Sequence, residues 1–271
     1  MDFLQEYYPH VATTTWLNRL AQGQVVDENG TPCQAASAYR AGACIFYYRE
    51  VAAERSIPFA EHIIYQDEHI LVADKPHFLP VIPAGRFLRE TLLVRLQQSQ
   101  VEELVPLHRI DRDTAGLVLF SRNPATRGRY ASLFQQRQVR KVYEANAHTG
   151  PGVGLPFTRR SRIVAGEPFF RMREIAGEPN SETHIEVIRP VNESVTLYRL
   201  HPVTGRKHQL RLHLAASGRP LVNDRLYPEI TAETDGDFSQ PLQLLAKTLS
   251  FKDPLTGAEH YFASTRTLWL G

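Results

Sequence analysis

Residues 115–121 read Ala-Gly-Leu-Val-Leu-Phe-Ser, an unbroken apolar run of strand length set directly behind the charged stretch His108-Arg109-Ile110-Asp111-Arg112-Asp113. A short continuous run of this kind reads as a buried strand. The fold must therefore enclose it in a sheet and still leave a charged loop at its edge. Neighbouring segments supply that sheet. Residues 62–75 give two short apolar runs about the polar turn Gln66-Asp67-Glu68, residues 140–148 read as a strand, and residues 183–190 and 194–202 read as an adjacent strand pair. Residues 89–98 have helical composition, and residues 123–138 predict a helix capped by Asn123 with Pro124 in its first position. Residues 206–218 fit two periods. Leu210, Leu212 and Leu214 alternate as in a strand, whereas Leu210, Leu214 and Ser217 follow a helix. Helix is the expectation, because Thr204 can cap it, Ala215-Ala216 suit a strand poorly and Gly218 suits a left-handed stop.

Residues 150–180, rich in Gly, Pro and Arg, are expected to form a loop or irregular hairpin. Strands mixed with a few helices, without strict alternation, predict an α+β fold: a mostly antiparallel mixed sheet flanked by helices and loops. Residues 1–60 read differently. Trp16, Leu17 and Leu20 form a short helical stripe with a Thr run as cap and Gly23 as stop. A turn at 25–32 and a strand at 41–51 follow. The expected organisation is an N-terminal extension or small appended module over 1–60 and a main domain over 61–271.

The chain has 271 residues, 42% apolar and 22% charged, enough for a sizeable core and too apolar for wholesale disorder. Its net charge of +2 hides an uneven distribution: residues 109–173 hold 13 Lys and Arg against 4 Asp and Glu, while the flanking segments are net acidic. Arg outnumbers Lys by 26 to 5. Guanidinium forks suit phosphate and stack on bases, so the central stretch predicts a face for a polyanion, nucleic acid first. No apolar run approaches the ~20 residues that span a bilayer. The start, MDFLQEYYPH, lacks the pattern of a secretory leader. Cys33 and Cys44 form no C-x-x-C pair, so no disulfide scaffold is expected and a cytoplasmic setting is.

Asp111 lies between Arg109 and Arg112, whose charges favour its ionised form. An anionic carboxylate fixed at a strand edge can serve as nucleophile, general base or charge stabiliser. His108-Arg109-Ile110-Asp111 followed by Thr114-Ala115-Gly116-Leu117 resembles the His-Arg-Leu-Asp and Thr-Ser-Gly-Leu core of the RluA family of RNA pseudouridine synthases. Further landmarks follow in the family's order. They are Asp67-Glu68 with Val72 and Lys75-Pro76, then Lys141-Val142-Tyr143, then the run from Gly205 to His213, similar to the family's Gly-Arg-Thr-His-Gln-Ile-Arg-Val-His helix. Gly218-Arg219-Pro220-Leu221 with Asn223-Asp224 and Tyr227 completes the series. The resemblance covers roughly residues 61–265. Ile110, Ala115, Lys207, Asn223 and Leu245 depart from the family's Leu, Ser, Thr, Gly and His. None of these is a residue the chemistry needs, and Asn223 and Leu245 point to a divergent subgroup.

The resemblance implies a pseudouridine synthase fold and an isomerase. The glycosidic bond of a uridine in RNA is broken, and the uracil turns and is rejoined through carbon 5, without metal, nucleotide or redox cofactor. It carries over Asp111 as the catalytic carboxylate, either attacking the sugar or removing a sugar proton. Arg211 becomes its ion-pair partner, and Tyr143 packs against the uracil. Flipping a base from its stack costs a few kcal/mol and needs compensating contacts. Arg109 is the candidate to fill the space left behind or to hold the flipped state. His108 either orders the same loop or is a packed histidine satisfying the backbone. Lys141 and Arg206 are further candidates for substrate contact, and Leu244 or Leu242 forms an apolar wall. Arg127, Arg129, Arg137, Arg140, Arg159, Arg160 and Arg162 are candidates for the RNA backbone.

The expected partner is RNA, ribosomal (large subunit favoured) or transfer, for a monomer with no membrane or metal association. Two rivals are a non-catalytic RNA-binding or ribosome-assembly protein on the same scaffold and a glycosidase-type hydrolase pairing Asp111 with a second carboxylate. Three weaker signals are set aside. His208 and His213 lack a third zinc ligand, the glycines at 150–154 open no helix, and Ser121 has no G-x-S-x-G turn.

Overall fold

The computed structural model describes residues 1–9, 11–48, 54–99, 103–150, 156–232 and 236–268. The chain packs as two units, residues 1–53 and 54–271. The first holds α1 (Asp2–Tyr7), α2 (Thr13–Ala21) and an antiparallel pair, β1 (Val25–Asp27) and β2 (Ile45–Tyr47). Leu4, Trp16, Leu20 and Val25 form its small core. The Thr run does not cap α2. Ala12 takes the cap position with no side-chain bond, and Thr13 instead accepts a hydrogen bond from Gln5. Gly23 ends the helix at φ +68°. Residues 49–51 of the expected strand lie outside the described residues.

The second unit opens with β3 (His62–Gln66), β4 (Ile70–Lys75), α3 (Leu92–Ser99), β5 (Val105–Pro106) and β6 (Ala115–Ser121). Then come α4 (Pro124–Gln135), β7 (Arg140–His148), β8 (Phe157–Ala165), β9 (Met172–Ile175), β10 (Ser181–Pro190) and β11 (Val195–Pro202). α5 (Gln209–Ala216), β12 (Leu244–Lys252) and β13 (Glu259–Ala263) complete it. One sheet runs β3-β4-β6-β12-β7-β11-β10-β8-β9, with β13 on β12 and β5 on β6. Among the described residues, β6 and β12 are the parallel pair in an otherwise antiparallel sheet. The α+β expectation is met. β6 is buried along its whole length, as its composition required, and Asn123 caps α4 by accepting from Ala125 N–H.

Two local expectations change. The segment expected as a loop or irregular hairpin holds a regular hairpin, in which Arg162–Ala165 pair with residues 172–175. Arg159 and Arg160 of β8 bond Glu174 and Glu182 on its neighbours, partners invisible in the composition of one segment. α5 starts at Gln209, later than a Thr204 cap implies. His208 takes its cap position in the left-handed conformation, φ 55°, while the Thr204 hydroxyl donates to Gln209 Oε1. Residues 209–214 are all buried, which is why two periodicities fit the same leucines.

Gly116 faces Ala246 where β6 and β12 run parallel, at φ +110°. A Cβ there would collide with the Ala246 carbonyl oxygen. The glycine of the Thr-Ala-Gly-Leu run is therefore the price of seating β12 beside the loop that carries Asp111. Gly116→Ala is expected to destabilise by about 3 kcal/mol, combining backbone strain and overpacking. Urea unfolding of the two proteins measures it, and a change below about 1 kcal/mol would contradict this account.

Candidate active site

The loop ahead of β6 is held from below by the turn that ends β4. Lys75 is fully buried and its Nζ donates to the carbonyls of Pro76, Leu79 and Arg112 at 2.9, 2.7 and 2.9 Å. Burial pushes its amine down to about 7, opposed by Asp113 and Asp111. His77 donates from Nδ1 to the Asp113 carbonyl at 2.7 Å, and Thr114 N–H closes a turn on the Asp111 carbonyl. Consecutive carbonyls of the loop are thus fixed, and the Asp111 side chain projects from a rigid backbone.

Asp111, 27% exposed, faces α5. Arg211 Nη1 stands 3.6 Å from its Oδ2, and His208 Nε2 stands 4.0 Å from its Oδ1. Arg211 is almost fully buried, and its short bonds go elsewhere: Nε and Nη2 donate to Asp224 at 2.9 and 2.6 Å. Burial alone would lower the guanidinium pKa. Asp224, Asp111 and Asp113 outweigh it and raise the value, so the charge persists. Tyr227 packs under the Arg211 guanidinium, 5.6 Å from its ring centroid, and its hydroxyl lies 3.0 Å from His208 Nδ1.

Tyr143 lies on β7 opposite Ala246 of β12, buried among Leu210, Leu214, Leu242 and Leu244, with Ile110 alongside. Burial first, and the charge of Asp111 second, raise its phenol pKa, so it stays protonated at neutral pH. Leu244 thus belongs to the wall that holds Tyr143. Lys141 is half-buried, its amine lowered by burial and close against Gly205. Arg206 is exposed and donates to the Asn180 carbonyl. Arg109 is exposed, with no hydrogen bond or ion pair to another described residue.

His108 is held between β6 and α4. Its Nε2 accepts from Leu119 N–H, its ring stacks on Phe134 at 4.9 Å, and burial drops the imidazole to about 3. Its geometry fits the packed histidine, not a substrate contact. Arg211 is likewise not an exclusive partner of Asp111. Sequence reasoning gave no role to Asp224, His208, Tyr227, Lys75 or His77. His77 excepted, their signal was their place inside those landmarks: Lys75 in the first, His208 in the run from Gly205 to His213, and Asp224 and Tyr227 in the last. His213 diverges from His208 and bonds Ser161, Ser181 and Thr183. Among the described residues no group of three or more His, Cys, Asp or Glu could hold a metal, and no helix is long and apolar enough to cross a membrane.

The family model described as RNA pseudouridylate synthase matches residues 69–216. A dual-specificity RNA pseudouridine synthase RluA of Vibrio vulnificus is 35% identical over 204 residues, covering 73% of this chain and 79% of that protein. An uncharacterized RNA pseudouridine synthase of Synechocystis is 31% identical over 244 residues, covering 84% of this chain and 78% of the relative. Among solved structures, human RNA pseudouridylate synthase domain containing 1 matches with a TM-score of 0.63 at 24% identity, covering 79% of this chain and 86% of that one. This last likeness concerns the fold. The chain belongs to the RluA family of RNA pseudouridine synthases.

Two predictions follow from the charges here. Arg211→Ala leaves the fully buried Asp224 carboxylate without its counterion. It is expected to cost about 3–5 kcal/mol, read from denaturant unfolding, and not merely to lower activity. The second concerns acid. Burial lowers His77, His108 and His213 from 6.5 to about 4, 3 and 4. Below pH 6.5 the unfolded chain binds protons that the folded chain refuses, so this stability is complete above pH 6.5 and lost as pH falls toward 4. The urea midpoint should drop across that window, and a flat profile would refute it.

Proposed function

We propose that Asp111 is the reacting carboxylate of a uridine-to-pseudouridine isomerisation in ribosomal RNA, the large subunit favoured, or in transfer RNA. The observation that carries this reading is the Asp111–Arg211 approach at 3.6 Å, with Arg211 held by Asp224. Because Asp224 compensates the buried guanidinium, Asp111 keeps a partly exposed carboxylate free to act on a ribose. It either attacks the anomeric carbon, where an anion beside a developing positive charge lowers the barrier, or takes up a sugar proton as a general base while the glycosidic bond breaks.

Tyr143 would support the uracil ring by packing, and its protonated phenol suits it to donate a hydrogen bond or proton rather than to accept one at neutral pH. Lys141 and Arg206 flank the same helix entrance and are suited to phosphate. Arg109, exposed on the loop beside Asp111, is suited to stack where a base has left. Residues 54–271 form the catalytic unit in this reading, and residues 1–53 are a separate module. The partly exposed carboxylate of Asp111 beside a guanidinium already paired with Asp224 favours this reading over the non-catalytic alternative.

Asp111→Asn is expected to abolish isomerisation, with RNA affinity changed by less than about threefold. Gel-shift titration and tritium release from RNA labelled with [5-³H]uridine measure the two. Turnover in this variant would remove Asp111 from its role. Mapping pseudouridines across all RNA with and without the protein would identify the target, as sites that disappear on deletion.

A further inference from the structure

We infer that His208 is a positioning residue for this reaction: its Nε2–H and the Arg211 guanidinium address the two oxygens of Asp111, and the Tyr227 hydroxyl sets the imidazole tautomer that allows it. The inference rests on the reading of Asp111 as the reacting carboxylate. A carboxylate turns freely about Cβ–Cγ, because that torsion is broad and two-fold. The nearest approach of Arg211 is Nη1 to Oδ2 at 3.6 Å, too long for a hydrogen bond that would set that rotation. His208 Nε2 lies toward the other oxygen, Oδ1, at 4.0 Å. Two donors on two different oxygens define the plane of the carboxylate, and therefore the direction its reactive lone pair faces. Both approaches are longer than a hydrogen bond, and catalytic contacts of this kind commonly draw in when substrate binds.

The tautomer follows from the Tyr227 hydroxyl. That oxygen accepts from Met172 N–H at 2.8 Å and carries a single proton to give. His208 Nδ1 lies 3.0 Å away and the Met172 carbonyl 3.3 Å away. Donation to the nearer Nδ1 leaves the imidazole proton on Nε2, facing Asp111. The backbone points the same way. His208 holds φ 55°, where a side chain is strained and glycine is not, and its side chain is buried. The strain delivers the imidazole to this corner of the site, between α5 and the Asp111 loop.

The left-handed backbone also supplies the test. His208→Gly fits φ 55° without strain, and His208→Gln places an amide N–H donor at the reach of Nε2. Tritium release is followed on bulk RNA labelled with [5-³H]uridine and taken from cells lacking the protein, with enzyme in excess. The Gly variant is expected to lose about 100-fold in rate, the scale of a misplaced reacting group, with its half-saturating enzyme concentration within threefold of wild type. The Gln variant should recover at least tenfold of that loss, and added imidazole should raise the Gly variant but not Asp111→Asn. A Gly variant within twofold of wild type, beside an inactive Asp111→Asn, would overturn the role of His208 alone. So would equal loss in the Gly and Gln variants with no response to imidazole, which marks a purely structural residue. Activity in Asp111→Asn would instead sink the reading of Asp111, and this inference with it.

Discussion

The buried guanidinium of Arg211 organises the site. Removing a charge from water is costly, and a single long-range partner does not offset it. Here the cost is met by a bidentate bond to Asp224, whose side chain is itself fully buried. Charge-assisted fork bonds of this kind are the strong ones. Asp111 is then a second, looser carboxylate on a guanidinium that is already neutralised, and it keeps 27% of its side chain exposed. A carboxylate gripped as tightly as Asp224 would be a poor reactant. One left without a cation would lose the attraction that draws it toward α5.

Everything around that pair serves to hold two backbone segments at a fixed separation. Lys75 and His77 fasten the carbonyls of Arg112 and Asp113, so the loop cannot slide along β6. Gly116 lets β12 approach that loop closely. On the other side, Gln209 bonds the Glu182 carbonyl and Thr183 hydroxyl, and His213 bonds Ser161, Ser181 and Thr183. These contacts fasten α5 to β8 and β10. The loop and the helix belong to different parts of the chain, and only the continuous sheet between them sets their distance.

The basic centre of the sequence divides in the same way. Arg159 and Arg160 are committed to Glu174 and Glu182 within the sheet. Arg129, Arg137, Arg140 and Arg162 remain exposed, as does Arg109. The charge count of one segment does not show the pairing of Arg159 and Arg160, which is set across strands.

Much of the local structure was legible in the chain itself. The run at 115–121 is apolar on both faces and had to be an interior strand. Asn123-Pro124 could start only a helix of one register, and alternation with turn residues marked the pairs 62–75 and 183–202. These are decided over a few residues by sterics, capping and burial. Asp111, Arg211 and Tyr143 were legible as a group through the landmarks around them. Tertiary structure alone decided that Arg211 is shared with Asp224, that His208 turns its imidazole toward Asp111, and that His108 accepts from Leu119. Each depends on which buried donor meets which acceptor across elements far apart in sequence, and desolvation makes that choice only once the sheet has brought them together.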